Sequence, residues 1–275
     1  MTTPIFKVLH AYHPDDTIEL EKIDVFVYRD CFLVAGYQST GAQMSSFIHY
    51  QFNDLGLKNV YSTQLQMILD QIPAAYHRAK IKNIYHAEPH FILIPTSELS
   101  EIHGYKAFSD LHTVAVEKLL TDTIPAIHSV IFYNYPYRVY NDFNFAFEGA
   151  TFHSSLKPML ENLKKHSIGK TIFYASIKSK FVEIHCFRDE VLLFSNSFEY
   201  NNKVEVVYFI QAVLGDMGLN DNSDDIYISC VRKEETADYF ETFKNYFPHF
   251  NEKATETFGF PADFWSIYGD MILCS

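Results

Sequence analysis

The chain has 275 residues, 48% of them hydrophobic, and a formal net charge of -12. That apolar share supports a substantial core in one large or two ordinary domains and excludes global disorder. The acidic balance repels phosphate backbones and anionic membranes, which argues against a nucleic-acid partner.

The N-terminal MTTPIFKVLHAYHPDD lacks the basic start and apolar core of a signal peptide, and no apolar run approaches a membrane span. Residues 1–20 read as a poorly patterned lead-in. Three strands follow over 23–30, 31–40 and 43–53, with Thr40-Gly41-Ala42 as a turn. Residues 55–62 read as a loop. Thr63 and Gln66 have capping-box spacing ahead of a helical stripe of Leu65, Ile68, Leu69, Ile72 and Tyr76, which Pro73 should kink or end. HFILIP (90–95) reads as the next strand. A helix is expected over 97–111, another over 114–120, a strand over 128–135 and a helix starting at Pro136. His153–Gly169 reads as a helix with Leu156, Met159, Leu160 and Leu163 on its apolar face. It starts at His153-Ser154-Ser155, ends with Lys164-Lys165-His166 where cations suit the dipole, and stops at Gly169.

The clearest pattern runs from Thr171 to Cys230. Val182, Ile184 and Cys186 alternate with Glu183 and His185, as in a half-buried strand, and Asp189-Glu190 divides two β-rich runs as a hairpin turn would. Asn202 and Glu205 have capping-box spacing. Val206, Phe209, Ile210, Val213, Leu214 and Met217 follow the helical template, Gly218 can cap the end, and Ile226, Ile228 and Cys230 form a strand. Strand, strand, strand, helix, strand thus occurs twice, at an offset of roughly 140 residues. A helix over 234–247 and an apolar IYGDMILC complete the chain. This order begins a ribonuclease-H-like domain, and actin-like ATPases carry two. The expected fold is therefore α/β and duplicated, two mixed sheets flanked by helices, with domains at 1–150 and 151–275.

FILIPTSEL, FHSSLKPMLENL, FSNSFEYNNKVEVVYFIQAVLGDMGL and a terminal segment closing on LC also carry a resemblance. The chain resembles a family of uncharacterised Bacteroidetes proteins (domain of unknown function, DUF3822-like) with an actin-like ATPase fold. The resemblance implies a duplicated fold and transfers no catalytic residues.

Actin-like ATPases need an early strand Asp and glycine turns that let backbone amides approach phosphate. Asp24 is the candidate carboxylate, and Lys178 and Lys180 are cations able to attract an anion. The corresponding turns, Tyr28-Arg29-Asp30 and Lys178-Ser179-Lys180, carry bulky side chains instead of glycine. The chain has only 10 glycines, with no Gly-Gly, no G-x-G and no P-loop. A ribonuclease-H-type nuclease would need carboxylates converging on two metals. Asp24, Asp70 and Glu183 are the candidates and read as solvated strand ends or a helix face. Among 13 histidines, His10/His13 and His86/His90 are the closest pairs, and neither has a third ligand at recognisable spacing. No G-x-S-x-G elbow occurs. Cys31, Cys186, Cys230 and Cys274 form no C-x-x-C pair and read as reduced thiols of a cytosolic protein.

The density of aromatics is the least ordinary feature. Tyr135, Tyr137, Tyr140, Phe143 and Phe147, with Tyr239, Phe243 and Tyr246, exceed what one helix stripe and one strand face need. They are the candidate partner-binding residues, because exposed aromatics enrich protein interfaces. The expected function is a non-catalytic scaffold that binds another protein in the cytoplasm, without cofactor, metal or catalytic residues. The alternatives are an ATPase or kinase with unconventional phosphate loops and a divergent ribonuclease-H-type nuclease.

Overall fold

Strands β2 (Lys22–Val27) and β3 (Cys31–Tyr37) are near-continuous apolar runs, and every residue but Lys22 is buried. Such runs suit strands covered on both faces. The computed structural model describes residues 6–12, 17, 19–38, 44–52, 62–99, 101–178, 180–219, 225–230, 239, 241–243 and 245–246. Within it the first sheet has six strands in the order β1-β4-β3-β2-β5-β9. The supposed lead-in contributes β1 (Phe6–Tyr12), which lies antiparallel on β4 (Met44–Phe52). The short helices α1 (Ser62–Leu69) and α2 (Ala74–Arg78) follow, with Pro73 immediately before α2. Gln66 donates to Asp70 (2.8 Å) instead of closing a capping box with Thr63.

The strand completing this first unit is β5 (Ile81–His86), parallel to β2, and not residues 90–95. Ile81-Lys82-Asn83 is too polar at its start to stand out as an apolar run. Residues 91–95 form β6 (Phe91–Pro95) of a separate sheet ordered β6-β8-β7. After α3 (Glu101–Leu111), the helix expected over 114–120 does not form: 112–118 is irregular, with bends at Val114 and Glu117, and leads into β7 (Leu119–Ile124). The cause is Asn134, on β8 (Ser129–Asn134). The Asn134 amide oxygen accepts from Glu117 N (3.0 Å), and its nitrogen donates to Ala115 O (3.0 Å), so these backbone groups need no helical partners. On α3, Gly104 lies so close to Phe132 that a Cβ there would stand 2.1 Å from its ring.

Pro136 precedes α4 (Tyr137–Ala146), which leads to β9 (Thr151–Ser154), parallel to β5. His153 and Ser154 are thus strand residues and not a helix start. Helix α5 (Leu156–His166) begins later, buries Leu156, Met159, Leu160 and Leu163, and is followed by Gly169 at φ +69°.

The second copy has β10 (Thr171–Ile177), β11 (Phe181–Arg188), β12 (Val191–Glu199), α6 (Lys203–Asp216) and β13 (Asp225–Cys230). Asp189 and Glu190 both have positive φ (46° and 67°), the sign a type I′ hairpin turn requires. Asn202 accepts from Glu205 N (3.1 Å), and the Glu205 carboxylate reaches back to Asn201 N (2.8 Å). Val206, Ile210, Val213 and Leu214 of α6 pack into one core with Phe173, Val182, Ile184 and Phe243. Strand β11 departs from the half-buried expectation, because Glu183 and His185 are as buried as their apolar neighbours.

The orders β4-β3-β2-β5 and β12-β11-β10-β13 match, with the same antiparallel and parallel pairings, so the unit is duplicated. The described residues fall into two compact units, one within Met1–Thr123 and Ser129–Lys157, the other within Ile124–His128 and Pro158–Cys274. The pairing of β9 with β5 keeps Thr151–Ser154 in the first sheet. The loop at 55–61, much of the 234–247 segment and IYGDMILC lie outside the described residues. Among the described residues, no helix is long and apolar enough to cross a membrane.

Candidate functional site

In the second unit, Lys178 N, just past β10, donates to Phe181 O (2.9 Å) at the start of β11. Alternation puts Ser176 and Lys178 on one face of β10, and the antiparallel register sets Glu183 opposite Ser176. Lys178 is therefore held within the protein. Its Nζ lies 3.1 Å from Glu183 Oε2 and donates to Ser176 Oγ (2.7 Å), with both charged side chains almost fully buried. The Tyr200 hydroxyl donates to Lys178 O and accepts from the Tyr239 hydroxyl (3.1 Å). Lys180 is exposed on the turn.

The first unit repeats this hairpin, with Tyr28 N donating to Cys31 O (2.9 Å). Asp24 is fully buried and not at a solvated strand end. It pairs with Lys22 (2.7 Å) and accepts from Asn83 Nδ2 (2.9 Å), and Asn83 Oδ1 accepts from Thr151 Oγ1 (2.9 Å). Asp24 thus anchors a polar ladder across three parallel strands. Glu183 is likewise buried, and Asp70 accepts from Gln66, so each candidate carboxylate has a local partner.

A second polar cluster lies past the carboxyl end of β5. His86, Glu88 and His90 are two residues apart, the spacing that puts side chains on one side of an extended chain. Glu88, itself buried, bridges His86 Nε2 (3.2 Å) and His90 Nδ1 (3.0 Å). The His86 ring stacks on Tyr135 at 4.1 Å. Among the described residues His86 Nδ1 and the Tyr135 hydroxyl have no hydrogen-bond partner. Burial pushes the Tyr135 phenol well up, with the Tyr140 and Glu88 charges adding to it. His112 Nε2–H donates to Phe91 O (3.1 Å), and burial lowers the His112 pKa. Close by in the chain, Asp122 meets His153 Nδ1 (2.9 Å) and accepts from Ser154 N (2.6 Å). Burial, then the Asp122 charge, raises the Tyr133 phenol. Sequence reading paired His86 with His90 and missed Glu88; the H-x-E-x-H alternation was the available signal. Among the described residues no group of three or more His, Cys, Asp or Glu side chains is arranged to hold a metal ion.

The candidate interface aromatics divide sharply. Tyr135, Phe143, Phe147, Tyr239 and Phe243 are buried, so they belong to the core and present nothing to a partner. The core takes more rings than one stripe needs because they pack on one another, as Phe143 does against Phe32 (5.6 Å). Tyr140 is half-buried beneath the Lys118 ammonium (3.4 Å), while Tyr137 and Tyr246 are exposed. Phe145, which sequence reading did not single out, is 77% exposed. It borders an open groove of about 590 Å³ that Asp70, Pro73 and His77 also line.

Comparison with known proteins places this architecture. A Bacteroides thetaiotaomicron protein with actin-like ATPase fold and unknown function superposes with a TM-score of 0.72. It is 18% identical, over 92% of this chain and 96% of that one. The fold is therefore that of the actin-like ATPases. The family described as "Protein of unknown function (DUF3822)" matches residues 25–250, and the chain belongs to it. Weaker likenesses are to the ethanolamine utilization protein EutJ from Carboxydothermus hydrogenoformans (TM-score 0.48, 8% identity, 82% of each chain) and to a PilM-PilN type IV pilus biogenesis complex (TM-score 0.45, 10% identity, 74% of this chain and 67% of that one). No curated protein matches the chain.

Proposed function

We propose that this protein is a non-catalytic member of the actin-like fold that acts as a scaffold by binding another protein in the cytoplasm. The observation that carries this reading is the state of the two hairpins. Neither 28–31 nor 178–181 contains glycine, and in each the N–H of the first residue is bonded to the carbonyl of the last. A triphosphate needs several backbone amides at close range, which bulky turn residues obstruct. The cation placed to substitute for those amides, Lys178, is paired with Glu183, and Asp24 is paired with Lys22. Surface aromatics supply the binding energy instead: Tyr137 and Phe145 on α4, and Tyr246. Buried, unbridged Cys31 and Cys186 suit a reducing compartment.

Calorimetry with ATP and magnesium tests this. The expected result is no saturable heat at micromolar concentrations. Tight binding, or magnesium-dependent turnover lost on Asp24→Asn, overturns the scaffold reading and restores an ATPase.

A further inference from the structure

The two units differ in the helix that follows the third strand of the repeat. Between β12 and β13 the second unit has the unbroken α6, whereas between β4 and β5 the first has α1 and α2, parted at 70–73. Pro73 is the cause, since it brings no N–H to a helical ladder. Ahead of it the chain tightens into 3₁₀-type bonds, Gln71 N donating to Ile68 O (3.0 Å) and Ile72 N to Leu69 O (3.1 Å). Met67 O, the acceptor that Gln71 N would have in a continuing α-helix, takes the Gln71 side-chain Nε2 instead (3.3 Å). The open groove of about 590 Å³ lies at this break, with Phe145 and Ala146 of α4 as its other wall.

The groups placed at this groove favour a cation. Both α1 and α4 end there, and neither has a basic residue in its last turn. The carboxyl end of a helix is the negative pole of its dipole and attracts cations. Of the lining residues Asp70 alone carries a formal charge, and none is lysine or arginine. Asp70 is exposed, and among the described residues its carboxylate meets the neutral Gln66 amide (2.8 Å) and no cation. His77 Nδ1–H donates to Ala146 O (3.1 Å), which leaves Nε2 of the neutral ring as an acceptor. Lysines that follow α2 are turned to other partners, Lys80 to Glu21 (3.0 Å) and Lys82 to Glu148 O (3.0 Å).

We propose that this groove is the docking point for an arginine side chain of a partner protein, its guanidinium held between the Asp70 carboxylate and the ring of Phe145. That ring, exposed on the α4 wall, offers the π face on which a guanidinium stacks. A planar fork of N–H donors meets a carboxylate bidentately and is more weakly hydrated than the lysine ammonium. Ile72, Pro73 and Ala74 line the same groove and suit apolar residues on either side of the arginine. A second copy is a poor occupant, because chains of net charge -12 repel one another.

This site deepens the scaffold reading and rests on it. Its test titrates the full chain with an acetylated, amidated Ala-Leu-Arg-Leu-Ala peptide. Saturable shifts of the Asp70, Gln71, Phe145 and Ala146 amide NMR signals are expected, with affinity falling as salt is raised. Citrulline, a neutral isostere, or lysine in place of the arginine should lower affinity at least about fivefold, the scale of a lost charge-assisted hydrogen bond. Asp70→Asn and Phe145→Ala, both at exposed positions, should each lower it by a similar factor and leave the melting temperature unchanged. No binding, equal binding of the citrulline or lysine peptide, indifference to either variant, or shifts elsewhere overturns the proposal. So does a concentration-dependent dimer that moves the same signals without peptide. Any of these, with ATP still giving no heat, removes the arginine site and leaves the scaffold reading standing. Tight ATP binding removes the scaffold reading whatever the peptide does.

Discussion

Lys178 and Glu183 form an ion pair with almost no solvent contact, so removing one charge leaves the other stranded. Breaking such a pair typically costs about 3–5 kcal/mol, a large part of the roughly 5–15 kcal/mol of a whole domain. Glu183→Gln should therefore lower the urea midpoint strongly, while Lys178→Met with Glu183→Leu should recover most of the loss. An unchanged midpoint in the single variant would mean that water reaches the pair. The pH dependence has its own marker in His112, whose pKa is lowered by burial. A base with a depressed folded pKa binds fewer protons folded than unfolded. Its contribution is complete above the unfolded value near 6.5 and fades as pH falls towards the folded one. His112→Gln should flatten the decline in melting temperature as pH falls below about 6.5. At this scale the sequence is least transparent. A lone strand carboxylate such as Asp24 looks solvated until the fold supplies Lys22 and Asn83, and Glu88 acquires meaning only from the two imidazoles it bridges.

Helix α6 shows what an element reveals by itself. Its apolar stripe, the Asn202 cap and the glycine after it are local features, and each is read from neighbours within a few residues. Val213→Asp would put a carboxylate into the core that α6 makes with β10 and β11, at a cost of several kcal/mol. Loss of the cooperative melting transition in a purified variant is the expected result; an unaltered transition would place the stripe in solvent. Elements whose cause is distant were misread. Residues 114–120 have helical spacing, but Asn134 takes the Glu117 N–H and the Ala115 carbonyl that a helix would use. β5 is half polar because Asn83 belongs to the Asp24 ladder, so the apolar FILIP run eclipsed it. β1 leaves Val8 exposed on an edge, where alternation is weakly enforced.

For the molecule as a whole, the repeated order of elements was enough to reveal the duplication, since pattern survives where identity does not. The third sheet was hidden because its strands are separated by a helix and by a stretch held open from a distance. One feature of the first sheet bears on how the chain comes into being. β9 begins at Thr151, 65 residues after β5 ends at His86 (151 minus 86). A ribosome adding about 5–20 residues per second needs roughly 3–13 s to cross that interval. Throughout it the nascent sheet ends on β5 with an uncovered parallel edge, while the β6-β8-β7 sheet must be made and folded aside. The chain's moment of greatest exposure to wrong pairing thus falls midway through synthesis, when β5 has emerged and its proper neighbour has yet to be translated.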